Sequence, residues 1–347
     1  MRPGVRNMPR RDIVLIGASA GGLESMQELV AALPAELRAS LLVVLHTSKH
    51  AGSVVPEILN RKGKFRAIHP EDGARIEPGQ IYVAPPDFHM IVEDGHLRVI
   101  QGPRENRHRP AIDPLFRSAA AAYGPRVAGV ILSGLLDDGT AGLMVVRAAG
   151  GEAIVQDPDT ALFSSMPRSA LRQVPQAHVA SIDEIANLLL RLSRQEVPET
   201  VSSRSAKVVA ARKEVKLAEA SMSEIANEAR GGSPSQFACP DCGGVLWEME
   251  DSGFLRFRCR VGHAFTAAYL DAEQQRAVEG ALWAGLRALE ERSSLYKRMA
   301  ELTQMPSLRL EYETSAGELG SQAKTLRDFL VDVNSREEER PTVERSA

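Results

Sequence analysis

The chain has 347 residues, 44% of them hydrophobic and 25% charged, the balance of an ordinary globular protein, which excludes wholesale disorder. Its 42 basic and 45 acidic residues leave a net charge of −3, which argues against a basic nucleic-acid binder. Three cysteines, an odd number, exclude a disulfide scaffold, and at roughly 150 residues per domain the length suggests about two domains.

In chain order, the basic start MRPGVRNMPRRD is followed by no apolar stretch of signal-peptide length. The longest apolar run, Val127 to Leu136, is about half a bilayer span, so the sequence predicts a cytoplasmic protein without membrane insertion. Ile13 to Ile16 predicts a strand, followed by a Gly-rich turn and a helix through Leu33. Leu41 to Leu45 predicts a second strand, with a helix after it that ends near Lys62-Gly63. Unbroken Val, Ile and Leu runs mark strands buried on both faces. Gln80 to Ala84 reads as a strand, and His89 to Ile100 as a hairpin turned at Asp94-Gly95. A helix over Leu115 to Ala122, a strand over Val127 to Leu132, a helix over Ala141 to Ala149 and a strand over Ala153 to Val155 continue the alternation. The pattern predicts an α/β fold, a doubly wound and mostly parallel sheet with an inserted β-hairpin, over 12–192 after a disordered 1–11.

Residues 193–236 then read as a polar linker with one transient helix, ending in turn-rich GGSPSQ. A Cys/His knuckle is expected over 237–270, a helical hairpin over 271–333 split at Met305-Pro306, and a disordered charged tail over 334–347. Tyr312, Ala316, Leu319, Ala323, Leu326, Leu330 and Val333 step alternately by four and three, a narrow seam that suits an αα-hairpin or self-association.

The turn Gly17-Ala18-Ser19-Ala20-Gly21-Gly22 follows a buried strand and opens a helix. A dinucleotide site would want an acidic residue at the end of the next strand, where His46 stands instead. Gly17-x-Ser19-x-Gly21 also fits a nucleophile on a sharp strand-to-helix turn, while the plainer account is an N-cap serine. A serine nucleophile needs a base and an orienting carboxylate. His46 lies at the carboxyl end of its strand, where ligand sites of such sheets gather. His50, His69, His89 and His108 lack that placement, and Asp137 and Asp138 follow another buried strand as rival carboxylates.

Cys239, Cys242, Cys259 and His263 read C-x₂-C-x₁₆-C-x₃-H, which predicts a closed four-ligand zinc site with a structural role. Arg256, Arg258 and Arg260 alternate as on a strand and, offset by Glu248, Glu250 and Asp251, read as a solvated face that binds no nucleic acid. The knuckle and the helices after it are expected to form a docking module for a receptor, a signalling partner or a second copy.

Together these residues resemble the catalytic domain of the bacterial chemotaxis protein-glutamate methylesterase family, CheB. The resemblance rests on Ile16 to Gly22, the strand ending in His46, Tyr82 to Met90, Arg109 to Ala120, Asp138 to Gly142, Gln156-Asp157-Pro158 and Met166-Pro167-Arg168. It implies Ser19 as nucleophile, His46 as base, Asp138 as orienting carboxylate and an oxyanion site of backbone N–H groups near Leu135 and Ala20. It implies hydrolysis of glutamyl γ-methyl esters on methylated chemoreceptor helices, with glutamine deamidation as a side activity and no catalytic cofactor. Departures are Leu135 and Leu136 where the family has Met-Gly, and Leu45 and Thr47-Ser48 around the histidine. No receiver domain, common in the family, is expected, because about 11 residues precede the first strand. The departures motivate an alternative: a signalling adaptor on an inactive hydrolase fold, acting through its C-terminal module.

Overall fold

Seven strands make the main sheet: β1 (Ile13–Ala18), β2 (Ser40–Leu45), β3 (Arg66–Ile68), β5 (Gln80–Val83), β8 (Val127–Ile131), β9 (Glu152–Gln156) and β10 (His178–Ala180). They lie in the order β10-β9-β8-β1-β2-β5-β3, and every neighbouring pair is parallel. A separate antiparallel sheet holds β4 (Ala74–Arg75), β6 (His89–Glu93) and β7 (His96–Ile100), the expected hairpin plus one short strand. This computed structural model describes residues 9–47, 54–93, 95–198, 205–219, 232–249 and 254–339, so Asp94 of the hairpin turn lies outside them.

The continuous apolar strands bury both faces. Val14, Ile16 and Ala18 of β1 pack with Met26, Leu29 and Val30 of α1 (Gly22–Ala32) and Leu189 of α6 (Ile182–Ser193). Ile13 and Leu15 face the other way, toward Ile112, Leu115 and Phe116 of α3 (Ile112–Tyr123) and Leu143 of α4 (Thr140–Ala148). A short helix, α2 (Val55–Asn60), follows β2, and α5 (Ser165–Gln173) follows β9. The chain runs outward from β1 through β2 on one side and returns through β8 on the other. The reversal leaves a crevice at the carboxyl ends of β8, β1 and β2, the place where open α/β sheets hold ligands.

The segment read as a linker contains α7 (Ala206–Glu219), whose Val208 and Ala211 are buried in the same core as α3 and α4. The turn-rich GGSPSQ forms part of β11 (Gly232–Ala238), the edge of a four-stranded antiparallel sheet with β12 (Val245–Met249), β13 (Arg256–Cys259) and β14 (Ala264–Thr266). Arg256 and Arg258 of β13 do not form a solvated face. Arg256 donates two hydrogen bonds to Glu214 at 2.9 and 2.8 Å, and Arg258 reaches Glu105 at 3.1 Å and Glu214 at 3.0 Å, all of them buried or nearly so. Opposite charges at long sequence separation took these arginines out of water, which local alternation cannot reveal.

The chain divides into two units, Met1–Tyr269 and Leu270–Ala347. The second consists of most of α8 (Ala267–Leu302) and of α9 (Pro306–Glu339). Its core is Leu286, Ala323 and Leu330, flanked by Leu282, Leu289 and Leu326, which follows the seam in the sequence. Helix α9 continues to Glu339, so 334–339 are helical where disorder was expected; Glu and Arg are good helix formers. At the other end, the Val197 N–H donates to the Pro9 carbonyl at 2.8 Å, and Arg11 donates to Gln195 at 2.7 Å and Glu152 at 3.0 Å. Residues 9–11 are thereby tied to the domain. Residues 1–8 and 340–347 lie outside the described ones. None of the described helices is long and apolar enough to cross a membrane.

Candidate active site

Ser19 is the first residue beyond β1. Its N–H donates to the Ser133 carbonyl at 3.0 Å, which ties the turn after β1 to the turn after β8. Gly21 then caps α1 at φ 65°, a left-handed conformation that suits glycine. Gly134 is fixed by space: a Cβ there would lie 2.6 Å from the Met166 methyl and 2.9 Å from the Ser19 Cβ. The His46 N–H donates to the Ala18 carbonyl at 3.1 Å, extending the β1–β2 ladder by one residue and holding the imidazole beside Ser19.

The three side chains meet. His46 Nδ1 lies 3.0 Å from Ser19 Oγ, and Nε2 lies 2.8 Å from Asp138 Oδ2. With Nε2–H donating to Asp138, Nδ1 is left as the acceptor of the serine hydroxyl proton. Asp138 is fully buried, and each of its oxygens is satisfied. Oδ2 also accepts from the Ile112 N–H at 2.7 Å, while Oδ1 accepts from Asn106 Nδ2 at 3.0 Å and the Asp113 N–H at 3.4 Å. Ile112 and Asp113 open α3, so the carboxylate lies at the positive end of that helix. Burial works against ionisation, but the His46 hydrogen bond, the imidazole's charge and the Ile112 amide hold Asp138 well below the usual carboxylate range.

Its neighbours move the other way. Burial and the charge of Asp138 push Asp113 well up; its Oδ1 accepts from the Gly142 N–H at 2.6 Å. Burial also pushes Asp137 up to about 6, against a hydrogen bond from Thr266 Oγ1 at 2.7 Å. Of these three carboxyls, Asp138 is the one whose surroundings favour the ionised form, while burial favours the neutral form of the other two.

The rival histidines are occupied elsewhere. His69 Nδ1 lies 2.7 Å from the Val83 carbonyl, and His89 is buried between the Pro103 carbonyl at 2.9 Å and the Ala111 N–H at 3.3 Å. His50 lies outside the described residues. His108 stacks on His46, ring centroids 3.6 Å apart and planes within 9°, with the edge of Tyr269 on its own ring. Burial and the adjacent His46 push it down to about 3, so it packs as a neutral plate. The sequence reading missed this contact and that of Asn106 with Asp138. Both residues belong to an irregular segment, where periodicity is silent.

A family profile described as CheB methylesterase matches residues 14–189. The chain belongs to the CheB methylesterase family. A Leptospira interrogans protein, named for protein-glutamate methylesterase and protein-glutamine glutaminase, is 34% identical over 189 residues, covering 54% of this chain and 98% of that protein. A Xanthomonas euvesicatoria protein of the same name is 37% identical over 187 residues, or 53% of this chain and 52% of that one. The crystal structure of the Thermotoga maritima CheB methylesterase catalytic domain superposes with a TM-score of 0.50 at 30% identity, covering 52% of this chain and 98% of that domain. The N-terminal domain is thus an esterase domain, and the family's doubly wound fold is the one read from the sequence.

Leu136, where the family's glycine was expected, adopts φ 61°. The leucine takes a left-handed backbone, and its N–H donates a hydrogen bond to Ser165 Oγ at 2.7 Å. Leu135 beside it is exposed, and among the described residues the N–H groups of Leu135 and Ala20 meet no acceptor.

Beyond the CheB profile, Cys239, Cys242, Cys259 and His263 bring their ligand atoms within 4.8 Å of one another. Two turns build the cluster. The Gly243 N–H donates to the Cys239 carbonyl at 2.8 Å, and the Gly262 N–H to the Cys259 carbonyl at 3.0 Å, with both glycines at positive φ. Cys242 and Cys259 sulfurs are 3.7 Å apart, and the Cys239 and Cys259 sulfurs are 3.7 and 3.6 Å from His263 Nδ1. A tetrahedral metal with ligands at about 2.3 Å has edges of about 3.8 Å. Three soft thiols and an imidazole with these edges suit a metal ion, with no donor position left open.

Proposed function

We propose that Ser19, His46 and Asp138 form the catalytic triad of a protein-glutamate methylesterase. The unbroken run of hydrogen bonds from Ser19 Oγ through the imidazole to a buried, ionised carboxylate carries this reading. Ser19 Oγ attacks the γ-carbonyl of a methylated glutamate while His46 takes its proton and Asp138 stabilises the imidazolium. The oxyanion is received by the N–H groups of Ala20 and Leu135, which have no other acceptor among the described residues. His46 returns the proton to the leaving methoxide, methanol departs, and water activated by the same imidazole releases glutamate. With a glutamine side chain the same steps release ammonia.

The substrate class that fits is the methylated cytoplasmic helices of chemoreceptors or of a related signalling protein, which goes with a cytoplasmic location. Zinc is the ion best matched to the Cys3His cluster, in a structural role, since a segment this short buries little core. The unbroken relay supports the hydrolase reading over the inactive adaptor, and the seam of α9 supports the hairpin rather than self-association, because its residues are buried against α8. The test is covalent trapping. A fluorophosphonate is expected to leave a single adduct on Ser19 and none on the His46→Ala variant; adducts elsewhere, or unchanged labelling without His46, would contradict the triad.

A further inference from the structure

Asn106 reaches two structures at once. Its Nδ2 donates to Asp138 Oδ1 at 3.0 Å, while its Oδ1 accepts from the Thr266 N–H at 2.9 Å. Its own N–H donates to the Ala264 carbonyl at 2.8 Å, and the Ala264 N–H donates to the Arg104 carbonyl at 3.2 Å. Strand β14 therefore adds alongside Arg104–Asn106 like an extra strand, and Ala264 follows the metal ligand His263 directly. Asn106 has φ 50° and is almost fully buried, a backbone that Asn and Asp tolerate better than other side chains.

The same seam is stitched by charge. Glu105, next to Asn106, is buried and receives both oxygens' hydrogen bonds from Arg117, at 2.9 and 2.7 Å, and one from Arg258 of β13 at 3.1 Å. Beside the other carboxyl of the turn, Thr266 Oγ1 holds Asp137 at 2.7 Å. Strand β13 carries the ligand Cys259, and its register puts Arg258 opposite Ala264 and Arg256 opposite Thr266. The hydrogen bonds that join the Cys3His sheet to Glu105, Asn106 and Asp137 come from β13 and β14, the two strands that the second pair of ligands closes, and Asp241 of the first turn adds a looser ion pair with Arg107 at 3.8 Å.

We propose that Asn106 is a positioning residue that couples the Cys3His module to the triad carboxylate, so that a metal-folded β13–β14 pair sets the rate of acyl transfer at Ser19. The inference rests on the triad reading above. With β14 in place, the Asn106 amide is locked by its oxygen and points its nitrogen at Asp138. With β14 displaced, the amide loses that lock, and a buried carboxylate loses a donor worth about 10- to 100-fold in rate.

The full-length chain tests this in four forms: wild type, Asn106→Asp, Cys242→Ser and the double variant. Metal bound per chain and the rate of Ser19 labelling by a fluorophosphonate are measured on each. Asn106→Asp keeps the size of the side chain and the acceptor for the Thr266 N–H but not the donor to Asp138. It is expected to retain its metal, to label about 10- to 100-fold more slowly, and to lose methanol release in kcat with KM unchanged. Cys242→Ser is expected to lose the metal and to slow by a comparable factor, with the double variant no slower than the slower single one. Should Cys242→Ser not accumulate as folded protein, the chelator-stripped wild type supplies that comparison. Wild-type labelling rates in Asn106→Asp or in metal-free protein would overturn the coupling, as would effects that multiply. No Ser19 adduct on the wild type would overturn the triad reading and the coupling together, which separates that failure from the others.

Discussion

The Ser19–His46–Asp138 relay draws its residues from the ends of three neighbouring strands and spans 19–138, whereas the Cys3His cluster takes four donors from two turns within 239–263. The relay depends on a large parallel sheet that is already packed on both faces. Its buried carboxylate, Asp138, is kept ionised against the cost of burial by backbone amides, an asparagine and an imidazole. The cluster has the opposite dependence: its small sheet has few buried side chains, Leu246, Phe257 and Phe265 among them, and an ion is suited to organise it.

That contrast predicts different responses to comparable lesions. Asp138→Asn changes one atom of the relay while offering a donor where His46 Nε2–H needs an acceptor. The expected loss in methanol release is about 10⁴-fold, the scale of such a change in a Ser-His-Asp triad, with metal content unaltered. A loss under tenfold would mean that Asp138 orients nothing.

A smaller effect tests where the two regions meet. Burial raises Asp137 to about 6, from an ordinary value near 4. A carboxyl raised on folding contributes stability that is complete below its unfolded value and is lost as pH rises through its folded one. Asp137→Asn keeps an acceptor for Thr266 Oγ1 but cannot titrate. The difference in Tm between wild type and variant is therefore expected to shift against the wild type by a few degrees between about pH 4 and 7. A pH-independent difference would show that Asp137 is not held in its neutral form.

Much of this organisation was legible in the sequence. Unbroken Val/Ile/Leu runs identified β1, β2 and β8, and the resemblance carried by Ser19, His46 and Asp138 pointed to residues that do come together. The ligand set was legible for a simpler reason: metal geometry writes itself into short spacing, as in Cys239-x-x-Cys242. Other parts left no local signature. Strands β3, β4 and β10 are two or three residues long and take their form from the neighbours they pair with. Helix α6 went unread, although the capping box of Ser181 and Glu184 at its start is a local signal. Helix α7 looked like linker because its anchor is a buried charge, Glu214, and two small or medium apolar residues. The docking of β13 and β14 was invisible for the same reason, since Arg258 and Glu105 are 153 residues apart. Pairings of that range change the meaning of a residue without changing its neighbours in the chain.

Ser19 is proposed as the nucleophile of an esterase acting on methylated glutamate. Methanol release from a methylated chemoreceptor cytoplasmic fragment tests it most directly, with wild type and Ser19→Ala compared at equal concentration. Steady release is expected from the wild type and none above background from Ser19→Ala. Equal rates from the two proteins would contradict it.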